Sequence, residues 1–273
     1  MAADVPGRGA AFFDLDKTLM QGSSAFQFGR AAYHAGLLGR RQLLADAIAN
    51  VQFRLRGATD EDSLALRERI AASLAGKRVV DVERLGADVL ARILPRVYPQ
   101  MLALAHEHQD AGRRAFIVTA ASQELAEILA RVMAFDGAVG SGISEVADGV
   151  YTGRPVGVFV YRGGKATAIR ELADREGIDL AASYAYSDSE SDLPMLEAVG
   201  HPVAVNPDVT LGRIARERGW DVLRFDRLGR RLKTVAALGA AAGAGGVGGV
   251  ALVRRLRPAG RRQLLGPRRS TWS

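Results

Sequence analysis

Asp14 and Asp16 stand two residues apart at the end of the apolar run Ala10-Ala11-Phe12-Phe13, with Thr18 close behind. Two carboxylates where a chain leaves a buried strand can serve as metal ligand, nucleophile or general acid. Asp is also common in turns, so a turn or cap pair is the plain alternative. A second acidic stretch, Tyr186-Ser-Asp-Ser-Glu-Ser-Asp192, again follows a short apolar run. Such a loop can hold a hard cation such as Mg²⁺ through oxygen ligands. Within it Glu190 reads as a helix-capping acid, and Asp188 and Asp192 read as partners for the first pair. Thr119 follows Phe116-Ile117-Val118 and can offer a hydroxyl to an anion. Lys165 opens a predicted helix after Gly163-Gly164, where a cation opposes the helix dipole unless an anion shares the position. A solvated surface lysine is the alternative there.

The elements that must position these residues follow from hydrophobic spacing. Residues 10–13 and 115–118 read as buried strands. Between them, residues 23–112 are rich in Ala, Leu, Arg and Glu, with apolar residues at helical spacing such as Leu64, Leu66, Ile70 and Leu74. Four or five helices are expected, broken at residues 36–39, 56–59, 76 and 95–99. Residues 137–160 suggest a β-hairpin turning at Asp148-Gly149. Helices are then expected at 122–132, 165–176, 192–199 and 208–218, and strands at 183–186, 202–205 and 221–225. Alternating strands and helices predict an α/β fold, a doubly wound parallel sheet with helices on both faces. The helical block is too long for a crossover and must be an inserted subdomain. His106 and His108 fall on different faces of a helix and read as surface residues rather than ligands.

The chain has 273 residues, 48% of them apolar, and no cysteine. A disulfide framework, a zinc–thiolate site and a thiol nucleophile are therefore excluded. The net charge of +7 is local to one end. Of the 37 basic residues, seven arginines lie in 254–273 with no acid among them, and the rest equal the 30 acidic residues. A neutral body argues against nucleic-acid binding. Residues 235–253 are uncharged and Ala/Gly-rich, about 28 Å long if helical. Basic residues crowd both of their flanks. Spanning a membrane, lying on an anionic inner-membrane surface and serving as a flexible linker all remain open readings for 235–273. The N-terminal stretch lacks an apolar signal segment, so a cytoplasmic catalytic body is expected.

Taken together, FFDLDKTL (12–19), FIVTAAS (116–122), GGKATAI (163–169) and YSDSESDLPML (186–196) resemble the ordered motifs of the haloacid-dehalogenase-like phosphohydrolases. The insertion after the first motif, DGVYTGR (148–154) and HPVAVNPD (201–208) are similar to the phosphoserine-phosphatase-like branch, subfamily IB. The resemblance covers about residues 10–226. It implies a Rossmann-like core (10–22 and 113–226), a helical cap (23–112) and a separate tail (227–273). It also implies a Mg²⁺-dependent phosphomonoesterase acting on a small phosphorylated metabolite through an aspartyl-phosphate. Asp14 would be the nucleophile and Asp16 the general acid and base. The metal would sit on the carboxylates of Asp14 and Asp188 and the carbonyl of Asp16, with Asp192 orienting the site. Thr119, a backbone N–H near Ala120 and Lys165 would hold the phosphoryl oxygens.

The chain also departs from the phosphoserine phosphatases. Ser191 stands where they usually carry Asn, and Lys17 where they carry Ser. Residues 20–24 lack the acid that helps recognise a substrate amine. Arg69 is a candidate to grip a substrate carboxylate, with a surface helix arginine as the alternative. A phosphoserine phosphatase proper, and a tethered phosphate-binding module without turnover, are the other function classes weighed.

Overall fold

The computed structural model describes residues 9–39 and 60–225. Its centre is β1, Ala10–Asp14, whose five residues are all buried. Such a continuous apolar strand belongs inside a parallel sheet covered on both faces. It pairs in parallel with β2 (Arg114–Ser122) on one side, Phe12 opposite Phe116 and Asp14 opposite Val118. On the other side it pairs with β6 (Tyr184–Ser187), Phe13 opposite Tyr186. With β3 (Gly137–Ser141), β7 (His201–Val205) and β8 (Asp221–Leu223), the order is β3-β2-β1-β6-β7-β8. The chain winds outward from β1 to β2 and β3, then reverses to β6, β7 and β8. The carboxyl end of β1 is therefore the topological switch point, where open α/β sheets bind ligands.

One face of the sheet packs Phe12, Phe116, Val118, Ala185 and Ala204 against helical residues that include Ile169, Leu196 and Leu211. These come from α7 (Gly163–Glu176), α8 (Leu193–Leu196) and α9 (Val209–Arg218). On the opposite face Phe13 stacks on Tyr186 at 4.5 Å and meets Phe135 and His108 edge-on. Local signals set the helix ends. Ser122 caps α6 (Gln123–Val132) by accepting from the Leu125 N–H, and Asp208 caps α9 by accepting from the Leu211 N–H. Left-handed Gly177 and Gly219 close α7 and α9.

After β1 come α1 (Ser24–His34), α2 (Asp60–Leu74), α3 (Val79–Glu83) and α4 (Gly86–Ile93), with α1 packed on α4. The expected break at 56–59 and the tail at 227–273 lie outside the described residues, as do Leu43 to Val51. Among the described residues, no helix is long and apolar enough to cross a membrane.

The structure differs from the sequence reading in four places. The helix α5, Pro99–Asp110, falls within the expected insertion but packs on β1 and β2, burying Met101, Ala105 and His108. Residues 137–141 are not part of a hairpin but a parallel strand of the main sheet. The hairpin is shorter: β4 (Val146–Ala147) and β5 (Val150–Tyr151), turned by Asp148 at φ 50° and Gly149 at φ 75°. Those paired left-handed residues are the signature of the tight turn that Asp-Gly predicts. The hairpin then pairs with the α2–α3 junction, where the Tyr151 N–H donates to the Lys77 carbonyl at 2.9 Å and the Gly76 N–H to the Tyr151 carbonyl at 2.9 Å. The helix expected over 192–199 is a short 3₁₀ turn, Glu190–Asp192, followed by one α turn, after which the Gly200 N–H meets the Leu180 carbonyl.

The fourth difference is His108, which is 5% exposed rather than on the surface. Arg113 Nε donates to its Nδ1 at 2.9 Å, so Nε2 carries the proton and donates to the Tyr186 hydroxyl at 2.7 Å. Burial, helped by the Arg113 charge, lowers its pKa from 6.5 to about 4. The unfolded chain then binds a proton that the folded chain refuses between those values. Stability held by this histidine is present above about pH 6.5 and should be lost as pH falls toward 4. Urea unfolding between pH 7 and 4 should fall more steeply for the wild type than for His108→Gln. Parallel curves would show that His108 does not carry this dependence. His106 is half-buried beside the Met133 carbonyl and, among the described residues, joins no metal-binding group.

Candidate active site

Three parallel strands and the start of α7 place the motif residues on one rim. Asp14 ends β1 and is 6% exposed. Lys165, 3% exposed, reaches it from the first turn of α7, with Nζ 2.5 Å from Asp14 Oδ1 and 2.7 Å from Asp192 Oδ2. The two carboxylates resolve the conflict of a lysine at a helix N-terminus, because they supply the anions that the position needs. Gly164 makes the approach possible: a Cβ there would lie 2.0 Å from the Phe159 carbonyl oxygen. No other residue lets α7 start so close to that backbone.

Asp188 and Asp192 follow β6, and both are nearly buried. Ser187 Oγ donates to Asp192 Oδ2 at 2.6 Å, leaving that carboxylate doubly held. The Asp208 N–H donates to the Asp188 carbonyl at 2.8 Å, and Asp208 Oδ2 accepts from the Glu190 N–H, so the α9 cap also anchors the acidic loop. Glu190 is exposed and opens the 3₁₀ turn, but the side chain that caps it is Ser189, whose Oγ accepts from the Ser191 N–H. On the other side of Asp14, Thr119 is buried just past Val118, the register partner of Asp14. β2 does not end at Thr119 but runs on to Ser122 through a register shift. Thr119 Oγ1 accepts from the Ala121 N–H at 3.2 Å, and Ala120 is half-buried beside it. Asp16 is half-buried and its Oδ1 accepts from the Ser24 N–H at 2.7 Å, joining the first motif to the start of α1.

The electrostatics follow from this crowding. Burial pushes the Asp14 carboxyl well up, Lys165 pulls it back, and the charges of Asp192, Asp188 and Asp16 add to the rise. Asp188 is pushed up to about 6 by burial, against the pull of Lys17. Lys165 is held firmly protonated, because the two carboxylates outweigh its own burial. The site is thus a dense group of oxygen donors short of positive charge.

Sequence reasoning missed Tyr161. Its hydroxyl bonds with that of Ser191, burial raises its pKa, and it feels the charges of Asp192 and Lys165. Ser191 also contacts Ser189 Oγ at 3.1 Å, so it stands at the rim beside this phenol. Tyr161 lies only four residues before Lys165, which was the available signal. Arg69 does not join the group: it is exposed on α2. Arg67, two residues earlier, is the arginine turned inward, donating to the Gly157 carbonyl at 2.5 Å with its Nε buried.

The switch point thus gathers a buried carboxylate, a lysine bridging two acids and a buried hydroxyl on the neighbouring strand. The chain belongs to the haloacid dehalogenase-like hydrolase family, whose model matches residues 11–197. It is 40% identical over 239 residues to Phosphoserine phosphatase SerB1 of Mycobacterium tuberculosis, covering 85% of this chain and 77% of that one. It is 29% identical over 219 residues to a histidinol-phosphatase of Neisseria meningitidis, covering 79% of this chain and 98% of that one. Among solved structures, a Bordetella pertussis Tohama I protein of unknown function superposes with a TM-score of 0.71 at 29% identity, over 80% of this chain and 98% of that one.

Proposed function

We propose that the protein hydrolyses small phosphomonoesters through an aspartyl-phosphate on Asp14. The observation that carries this reading is Lys165 Nζ lying 2.5 Å from Asp14 Oδ1 at the carboxyl end of the central strand. The lysine orients the carboxylate and, with Thr119 and the backbone N–H near Ala120, faces the place where phosphoryl oxygens gain charge. An Asp14 oxygen attacks phosphorus in line while the ester P–O bond breaks. Asp16 gives its proton to the leaving oxygen. It then takes a proton from the water that attacks the same phosphorus, which frees phosphate and restores Asp14.

Among the described residues, no group of three Asp, Glu, His or Cys side chains forms a ready metal cage. Two carboxylates, a carbonyl and several waters are the usual surroundings of Mg²⁺, and the hard oxygens of Asp14, Asp188 and the Asp16 carbonyl fit that pattern. Bound there, Mg²⁺ would offset the repulsion between an anionic nucleophile and an anionic phosphate.

The inserted block ahead of α5 is read as the cap whose side chains select the substrate. Phosphoserine and histidinol phosphate are both candidates by the names of the relatives above. An attraction of the arginine-rich tail to an anionic membrane surface is supported by its sequence only.

Phosphate release from a panel of phosphorylated metabolites tests the reading. A protein that bound phosphate esters but released none would favour the binding-module alternative. Asp16→Asn should slow alkyl phosphates by about 10²- to 10⁴-fold and an activated aryl phosphate far less, because only the former needs its leaving oxygen protonated. Equal losses on both would remove Asp16 from the acid position.

A further inference from the structure

The two lysines of the site are held in different ways. Lys165 has 4% of its side chain exposed, at 2.5 Å and 2.7 Å from its carboxylates. Lys17 has 47% of its side chain exposed, and its Nζ lies 3.3 Å from Asp188 Oδ2. That is long for an ammonium–carboxylate contact and half in water, so the pair is easily broken. Its backbone is nonetheless specific. Lys17 has a φ of 63°, a left-handed conformation that side chains other than glycine enter at a cost. The turn therefore delivers an ammonium across 171 residues of sequence to an acid that is 8% exposed.

We propose that Lys17 is a displaceable counter-ion of the metal site. It neutralises Asp188 in the metal-free protein and withdraws when Mg²⁺ reaches that carboxylate. This rests on the reading of Asp188 as a metal ligand. An ammonium within a few ångströms of a divalent cation is repelled, and no burial holds Lys17 in place. Its exposed stem can swing into solvent while Lys165 keeps its grip on Asp14 and Asp192. Metal binding thus exchanges one cation for another at Asp188, and the exchange weakens the apparent affinity for Mg²⁺.

Calorimetric titration of MgCl₂ into the EDTA-treated full chain tests this. Lys17→Gln keeps an unbranched polar side chain and the backbone demand but removes the charge, and should bind Mg²⁺ about threefold to tenfold more tightly than the wild type. Lys17→Arg keeps the charge and should bind within about twofold of the wild type. Unchanged or weaker binding by Lys17→Gln would overturn the proposal while leaving Asp188 as a ligand. A wild type that binds no Mg²⁺, or an Asp188→Asn variant that binds it with undiminished affinity, would overturn the assignment of Asp188 and this inference with it.

Discussion

Asp14→Asn should abolish turnover on every phosphomonoester, with kcat down by about 10³-fold or more, because the amide cannot form the acyl-phosphate. The fold should survive. Asn matches Asp in volume, so the buried end of β1 keeps its packing. Lys165 retains Asp192 at 2.7 Å, so its charge is not left unpaired. Burial already disfavours the Asp14 carboxylate, which limits what its removal costs. The change in unfolding free energy is expected to stay under about 2 kcal/mol. Steady-state kinetics on a generic aryl phosphate, together with thermal unfolding, reads both quantities. Near wild-type activity in this variant would discard the aspartyl-phosphate route.

Lys165→Met should be damaging in two separate ways. It leaves Asp14 and Asp192 buried side by side without their cation, and breaking a buried pair of this kind costs about 3–5 kcal/mol. Ser187 still donates to Asp192 Oδ2, which softens the loss at that acid but not at Asp14. On the proposed function the variant also loses the charge that would hold the phosphoryl oxygens, which is worth about 10²- to 10³-fold in kcat. Lys165→Arg separates the two effects. It restores a positive charge, so part of the stability should return. The planar guanidinium cannot sit 2.5 Å from one acid and 2.7 Å from the other as a point-like ammonium does, so activity should stay low. Chemical denaturation and kcat/KM for the two variants give the comparison. Full activity in Lys165→Arg would show that charge alone suffices there.

The parts of this protein readable without coordinates are those set by neighbours in the chain. The buried run of β1, the Asp148-Gly149 turn, the helices opening near Ser122 and Asp208 and the strand–helix alternation all rest on local spacing. The order of the four motifs was enough to bring Asp14, Thr119, Lys165 and Asp188 to one rim, because parallel strands joined by crossovers put every carboxyl end on the same side. What the sequence could not show is which charges touch. Lys165 meets Asp14 across 151 positions, and Lys17 meets Asp188 across 171. His108 read as a surface residue because it and His106 fall on different faces of a helix, yet its partners Tyr186 and Arg113 come from β6 and the turn before β2. The same holds for α5 itself, whose composition matches the inserted helices although its contacts belong to the sheet. Tyr161 gained its meaning only when Ser191, 30 positions away, arrived beside it. In each case the deciding quantity is burial and distance between residues far apart in the chain. Periodicity records which face of an element is apolar, but the choice of polar partner on that face is made when the elements dock.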